Sequence, residues 1–214
     1  MSGERLLALF VLAMGLVASA TPALAADEDT QLWLSLNTVV PVSEATSATV
    51  ELSSRFRQGP DQLLTRATVE TKLSYTVSVG LGTAYVVYSG GHEVRPSEQV
   101  TITAGKLAFR TRLEERLFAG AERAQLRLRQ RVQAAFPLAQ GTRLVGSGEL
   151  LYIGRPESSA AKTRVDSWRA AIALQKRLTR RFDASVGYLL IYSPRTLAPD
   201  RISHVPQLTL TLRG

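Results

Sequence analysis

The chain has 214 residues, no cysteine, two histidines and a formal net charge of +8. Without cysteine there are no disulfides, no thiol catalysis and no cysteine-ligated metal, and two histidines give little basis for a zinc centre or a catalytic triad. The positive charge favours an anionic partner, such as lipopolysaccharide, a small anionic solute or an acidic polysaccharide.

The first 25 residues are typical of a secretory signal peptide. Arg5 precedes an apolar run, and Ala23 and Ala25 form a small-x-small cleavage motif around Leu24. The apolar run is too short to be a convincing membrane-spanning helix. We therefore expect cleavage of residues 1–25 and a single exported domain at 26–214. Export argues against a nucleic-acid partner.

After residue 26 the sequence shows short segments of alternating polar and apolar residues, and no helical period of useful length. A β-strand places successive side chains on opposite faces, so these segments are predicted strands. The predicted strands are 31–40, 47–57, 63–75, 79–88, 98–103, 106–118, 123–135, 142–153, 165–177, 182–192 and 204–213. Most reach the roughly 9–11 residues with which a tilted strand crosses a bilayer.

The predicted connections alternate between tight turns and longer, more polar loops. The tight turns are 41–46, 76–78, 103–106, 136–141 and 178–181. The longer connections are 58–62, 89–97, 154–164 and 193–203. Such alternation is typical of an outer-membrane β-barrel. Aromatic residues at the strand ends predict two interfacial girdles, with Tyr75, Phe136 and Phe182 near tight turns and Tyr152, Trp168 and Tyr192 near long loops.

The most informative segment is the hairpin from Lys106 to Phe136, in which one face is charged and the other mostly apolar. In an outer-membrane barrel the apolar face meets lipid and the charged face lines the interior. Arg and Glu on neighbouring strands would then neutralise and hydrogen-bond one another. The predicted interior charges, which we call the lumen ladder, are Arg110, Arg112, Glu114, Arg116, Arg127, Arg129, Arg131, Glu149, Glu70, Lys72 and Arg55. Three polar residues, Glu115, Gln130 and Lys176, fall on the lipid face against the pattern.

The predicted fold is therefore all-β: an antiparallel, up-and-down transmembrane β-barrel of 10–12 strands with an interior rich in Arg and Glu. The sequence yields eleven predicted strands. Single-chain bacterial barrels have even strand numbers. We therefore expect ten or twelve, with one strand missed or wrongly divided near the N-terminus.

The motifs resemble those of the uncharacterised DUF2490 family of Gram-negative bacteria over nearly the whole of residues 26–214. The most specific part is Phe109–Arg116 (F-R-x-R-L-E-E-R) followed by Arg127–Arg131 (R-L-R-x-R). Weaker matches are Gln31–Trp33, Glu51–Arg55, Gly80–Gly82, Gly148–Leu150 and Gly187–Tyr188. The resemblance implies an exported protein that looks like an outer-membrane barrel. It implies no activity and no functional residues.

Several functions fit this fold. The first is a narrow pore or binding barrel for small anionic solutes, since interior arginines attract and orient anions. A structural barrel whose Arg–Glu pairs close the lumen is a second hypothesis. A third is an enzyme that modifies lipid or lipopolysaccharide, with His92 or His204 as the base and Ser203 beside the latter. The fourth is a soluble periplasmic binder of lipocalin type, with its apolar face inward.

An enzyme is the less favoured hypothesis, because neither histidine sits in a recognisable catalytic motif. No metal or cofactor is expected, since Asp and Glu are dispersed and no phosphate-binding glycine motif is present. Gly80 and Gly82 are expected to relieve crowding inside the barrel. The expected partners are outer-membrane lipid, lipopolysaccharide and small anionic solutes.

Overall fold

Alternating polar and apolar residues produce strands along the whole described chain. A computed structural model describes residues 26–214, so the predicted signal peptide at 1–25 lies outside the described residues. The strands are β1 (Asp27–Thr30), β2 (Leu32–Pro41), β3 (Thr46–Phe56), β4 (Gln62–Lys72), β5 (Val77–Tyr88), β6 (Gly91–Ala104), β7 (Leu107–Phe118), β8 (Gln125–Ala139), β9 (Thr142–Arg155), β10 (Arg164–Arg177), β11 (Phe182–Ser193) and β12 (Arg201–Arg213). No helix among residues 26–214 is long and apolar enough to span a membrane.

The strands form one closed barrel. From β2 to β12 each strand pairs antiparallel with the next, and β12 then pairs in parallel with β2. The short strand β1 continues β2, because both hold the same register on β12: Thr30 lies opposite His204 and Trp33 opposite Gln207. β1 and β2 are therefore one strand interrupted at Gln31, and the barrel has eleven strands.

The parallel closing pair explains the odd strand number. A barrel in which every neighbouring pair is antiparallel must have an even number of strands, because direction alternates around the ring. One parallel pair removes that requirement. The predicted β-barrel fold is confirmed, and the eleven strands read from the sequence are right. The expectation of a missed or wrongly divided strand was wrong.

Most large apolar side chains point outward and most charged ones inward. The exposed outward set includes Leu34, Leu36, Leu52, Leu81, Val100, Leu113, Leu128, Ile172, Val186 and Leu210. On β7 and β8 the partners Leu113 and Leu128 face out, while Glu114 and Arg127 face in. The lipocalin-type alternative, with the apolar face inward, is therefore wrong. Small apolar clusters do occur inside, at Leu64, Ala84 and Val86 and at Leu189, Ile191 and Val205.

The two ends of the barrel differ in their connections. The short end carries 42–45, 73–76, 105–106, 140–141 and 178–181, and the long end carries 57–61, 89–90, 119–124, 156–163 and 194–200. The tight turns predicted from the sequence all lie at the short end. The predicted long connection 89–97 was wrong, because Ser89 and Gly90 form a two-residue turn. Gly90 has a φ of 91°, a backbone conformation that is unfavourable for residues other than glycine.

The aromatic residues predicted to form girdles lie near the two ends. Phe136 and Phe182 are close to the short end, where Tyr75 stands fully exposed in a turn. Tyr152, Trp168 and Tyr192 lie near the long end. Apolar strand positions separate the two groups, which is the arrangement that an aromatic belt requires.

A cysteine pair tests the parallel closure. Leu36 on β2 lies opposite Leu210 on β12, and neighbouring strands lie about 4.8 Å apart, which suits a disulfide. We expect Leu36→Cys with Leu210→Cys to cross-link on oxidation, so that fragments cut in the 119–124 loop stay joined until reduction. The control pair Leu36→Cys with Val186→Cys spans two strands, about 10 Å, and should not cross-link. An additional strand between β2 and β12 would leave the first pair unlinked as well.

Candidate functional site

The interior of the barrel holds a cavity of about 690 Å³. Alternation along the strands aims one residue in two at this cavity, and most of those side chains are polar. Twelve arginines line it: Arg55, Arg57, Arg66, Arg95, Arg110, Arg112, Arg116, Arg127, Arg129, Arg131, Arg169 and Arg201.

The structure brings most of the lumen ladder to this cavity. Nine of its eleven residues line the cavity: Arg55, Glu70, Arg110, Arg112, Arg116, Arg127, Arg129, Arg131 and Glu149. Glu114 is only 2% exposed and lies beneath the arginines that it binds. Lys72 does not line the cavity, because β4 ends there at the short end and its side chain is exposed.

Glu114 is the most heavily bonded carboxylate of the lumen. Its strand partner Arg127 donates from Nε and Nη2 to Oε2 at 3.0 and 2.6 Å. Arg129 donates from Nη1 to Oε1 at 2.8 Å, and Nη1 of Arg112 lies 3.7 Å from the same oxygen. Charge-assisted hydrogen bonds between guanidinium and carboxylate groups are stronger than neutral ones. Glu114 therefore fixes the orientation of three arginines at once.

Glu149 extends this network to β9 and β10. Arg129 donates from Nη2 to both carboxylate oxygens at 2.8 and 2.9 Å, and Arg110 donates from Nη2 at 3.0 Å. Nη1 of Arg169 lies 4.0 Å away. Arg129 thus bridges Glu114 and Glu149. Together these contacts form one continuous charged wall on β7–β10.

The charged wall continues onto β6 through residues that the sequence reasoning missed. Glu93, 1% exposed, accepts hydrogen bonds from Arg116 at 2.9 and 3.1 Å and also binds Arg95. Gln99 accepts from Nε of Arg112 at 2.9 Å and donates to Glu70 at 2.7 Å. A side chain in place of Gly80 would come within 3.1 Å of Gln99, so this glycine relieves crowding.

Sequence reasoning missed Glu93 and Arg95 because the predicted strand began only at residue 98. Pro96 and the polar residues around it are typical of a loop. The pattern that could have revealed the start of β6 is the alternation of Glu93, Arg95, Ser97 and Gln99, which form its inward face. Asp166, at an irregularity of β10, was also missed and lies 3.1 Å from Arg127.

The cavity carries an excess of positive charge. Four carboxylates, Glu51, Glu70, Glu149 and Asp166, line it together with the twelve arginines. Glu93 and Glu114 lie behind and bind those arginines. A seventh interior carboxylate, Asp29, is buried beside Ser203. Twelve arginines against seven carboxylates leave five positive charges among the described residues. The opposite wall, on β2 and β12, is largely uncharged and presents residues such as Ser35, Asn37 and Thr209.

Comparison with known proteins identifies the family. The model of the family described as "Protein of unknown function (DUF2490)" matches residues 30–201. The chain belongs to the DUF2490 family. The resemblance read from the sequence motifs is thereby confirmed.

Two similar proteins bear on this DUF2490 member. An uncharacterised protein of Methylorubrum extorquens, MexAM1_META1p0181, is 26% identical, covering 97% of this chain and 96% of its own. Among solved structures, the NanC porin in a rhombohedral crystal form has a TM-score of 0.54 at 12% identity. That match covers 76% of this chain and 87% of the porin. At this identity the likeness concerns the fold alone, and it agrees with the barrel described above.

The two histidines lie on the outside of the barrel. The ring of His92 packs 5.7 Å from that of Tyr85, and Nδ1 of His204 contacts the Tyr188 hydroxyl. Ser203 faces the interior instead, where its hydroxyl donates to Asp29 at 3.1 Å. Because neighbouring strand residues point to opposite faces, Ser203 and His204 cannot act as a catalytic pair. The pairing on which the enzyme hypothesis drew is therefore contradicted.

The structure gives Gln130 and Lys176 partners on the outer face. Gln130 accepts a hydrogen bond from the hydroxyl of its cross-strand neighbour Thr111 at 2.9 Å. This pairing lowers the cost of an outward amide. The Lys176 ammonium donates to the backbone carbonyl of Gln140 at the short end. Glu115 stays exposed beside Arg116, near the long end of β7.

Two long-end loops are tied together above the charged wall. Glu122 accepts from the Ser159 amide at 2.8 Å, and Arg123 donates to the carbonyls of Pro156 and Ser158 at 2.9 and 3.0 Å. The hydrogen bond from the Ser159 amide holds the pKa of Glu122 below its ordinary value. These contacts fix the loops 119–124 and 156–163 against each other at the rim of the lumen.

Glu114→Gln tests the role of the central carboxylate. Removing its charge takes from Arg127 its doubly bonded counter-ion and from Arg129 one of two, leaving Asp166 and Glu149 as their remaining acidic partners. Breaking a buried ion pair costs about 3–5 kcal/mol. We expect a clear fall in the thermal unfolding temperature of the detergent-solubilised barrel, followed by circular dichroism. The neighbouring variant Glu115→Gln, on the outer face, should change stability by less than about 0.5 kcal/mol. Equal effects of the two changes would contradict a structural role for the network.

Proposed function

We propose that this chain is an outer-membrane β-barrel whose basic lumen passes or binds small anionic solutes. The observation that carries the proposal is the excess of positive charge around a cavity of about 690 Å³. A low-dielectric wall with fixed charges of one sign concentrates counter-ions in an aqueous passage. The wall on β2 and β12, with few charges, leaves the arginines of the opposite wall free to act on a solute.

The arrangement of the ion pairs favours a solute path over a purely structural interior. Most of the bonded groups lie on β6–β10, where Glu93, Glu114 and Glu149 are held against the wall by their arginines. Arg131 faces the cavity and bonds only to uncharged groups, donating to Gln133 at 2.7 Å and Ser147 at 3.4 Å. A network that served only to neutralise itself would pair such a charge.

Location in the outer membrane is supported by the outward belt of apolar side chains. Soluble monomers seldom expose contiguous apolar patches beyond a few hundred Å². Here apolar residues cover the outer face between the two aromatic groups. Strand closure satisfies the backbone hydrogen bonds, as a bilayer requires. The predicted signal peptide and the porin fold agree with this location.

The expected lipid partners follow from the same surface. Acyl chains would cover the apolar belt, and Tyr152 and Tyr192 would lie toward the headgroups at the long end. If the long end faces outward, as in bacterial barrels, those headgroups belong to lipopolysaccharide. Exposed arginines at the long end, such as Arg201, suit its anionic groups.

Planar-bilayer recording tests the pore. With purified protein and a potassium chloride gradient, we expect single-channel events and a reversal potential that shows anion preference. Arg131→Gln should lower that preference, because it removes a cavity charge that has no acidic partner. Arg180→Gln, in a short-end loop outside the cavity, serves as the matched control. Cation preference would refute the proposal, and the absence of events would favour a closed structural barrel.

Fractionation tests the membrane location. If the apolar belt contacts lipid, the expressed protein should stay with the outer-membrane fraction and need detergent for extraction. Release by osmotic shock without detergent would refute this location. The double change Leu36→Asp with Leu52→Asp puts charges on the belt and should reduce membrane recovery, since charge near the bilayer centre is costly. Ser35→Asp, on the inward face of the same strand, is the comparison.

A further inference from the structure

Three arginines at the margin of the charged wall keep guanidinium donors that no residue of 26–214 accepts. The guanidinium groups of Arg55 and Arg169 form no hydrogen bond to any residue of 26–214, and Nε of each is buried without a partner. The one ion-pair contact of Arg169 is the 4.0 Å approach of its Nη1 to Glu149. Arg95, 7% exposed, is bonded to Glu93 through Nη2 alone, and its Nε also has no partner. Arginine donors left unused in an interior are costly unless a ligand or water satisfies them.

The register places these three side chains at one level of the barrel. The residue opposite Arg55 on β4, followed by the residue opposite that one on β5, leads to Gly91 on β6. Gly91 is four residues from Arg95. In the other direction around the barrel, the same steps between opposite residues pass from Arg55 across β2, β12 and β11 to Ala173 on β10. Ala173 is four residues from Arg169. A strand tilt of about 40° offsets level residues by roughly one residue per strand crossed. The two offsets run in opposite senses, as a uniform tilt requires.

The three arginines also come from different sides of the lumen. Arg55 lies on β3, Arg95 on β6 and Arg169 on β10, which are separated by three or four strands around the eleven-stranded ring. The charges that act most strongly on Arg55 are those of Arg95 and Arg169. Like charges converge here from three walls.

The nearby carboxylates are already bonded to other arginines besides these three. Glu93 accepts two hydrogen bonds from Arg116, and Glu149 binds Arg129 and Arg110. Glu51 binds Arg66 at 3.0 Å. On the remaining side, the Arg55 guanidinium lies 4.1 Å above the Trp33 ring, whose Nε1 donates to Gln31. Trp33 thus holds Arg55 in place without neutralising it.

We propose that Arg55, Arg95 and Arg169 form a binding site for a multiply charged, tetrahedral oxyanion of the phosphate class. The juxtaposition of three guanidinium groups, at one level and from three walls, supplies donors from several directions. A tetrahedral oxyanion can accept from all three, whereas chloride has no directional acceptors and a monocarboxylate has only two oxygens. The ligand is either free phosphate or the phosphate group of a larger solute. This inference rests on the anionic lumen proposed above and names the solute that it selects.

Binding measurements in detergent micelles test the site. Inorganic phosphate, titrated by isothermal calorimetry at constant ionic strength, should bind saturably and more tightly than chloride or acetate. Arg55→Gln and Arg169→Gln remove no protein hydrogen bond, so both variants should fold. Each should weaken phosphate binding about tenfold or more, the effect of losing a charge-assisted contact. A sugar phosphate in a parallel titration separates the two sources: tighter binding than inorganic phosphate would assign the site to a phosphorylated solute.

Arg131→Gln separates a local site from the general field of the lumen. It removes the same charge from the cavity, so it should reduce anion preference in bilayers but change phosphate affinity less than about threefold. Equal losses in all three variants, or equal affinity for phosphate, acetate and chloride, would overturn the site. Saturable binding without conductance would refute the pore and leave the site standing. Conductance without saturable phosphate binding would do the reverse.

Discussion

The parallel pairing of β12 with β2 is the constraint on which the rest of the structure depends. It joins β2 to β12 and closes the ring, so each strand from β2 to β12 pairs with a strand on both sides. It also fixes the strand number at eleven. Trp33 lies on this seam, and Arg55 stacks upon it. The position of a lumen charge is thereby tied to the closure of the sheet.

The interior accommodates many buried charges by pairing them with one another, and a cavity remains beside the pairs. Glu93, Glu114 and Glu149 each bind at least two arginines, and Arg129 connects two of them. Burial of a charge is tolerated when it is paired and hydrogen-bonded. Because most of the bonded groups lie on β6–β10, the wall on β2 and β12 keeps small polar side chains and space. The charged network and the open part of the cavity therefore occupy different parts of one circumference.

Much of this architecture could be predicted from the sequence, because period-two alternation is a direct consequence of strand geometry. The hairpin with Arg112, Glu114, Arg127 and Arg129 carried the signal most clearly. The start of β6 could not be located, since Pro96 and the charges beside it are equally typical of a loop. The parallel pairing that closes the barrel could not be predicted either, because no local sequence pattern specifies which distant strands pair or in which direction. Which donors of Arg55 and Arg169 stay without a hydrogen-bond partner depends on the geometry of the whole lumen, which alternation alone does not determine.

The odd number of strands has a consequence for sidedness. β1 starts at the long end and β12 finishes at the short end, so Asp27 and Arg213 lie at opposite mouths of the barrel. In an even-stranded barrel the start of the first strand and the end of the last strand lie at the same mouth. Set in a bilayer, this barrel would expose the start of its first strand to one compartment and the end of its last strand to the other. Assembly must then carry one end of the chain through the membrane while the seam is still open.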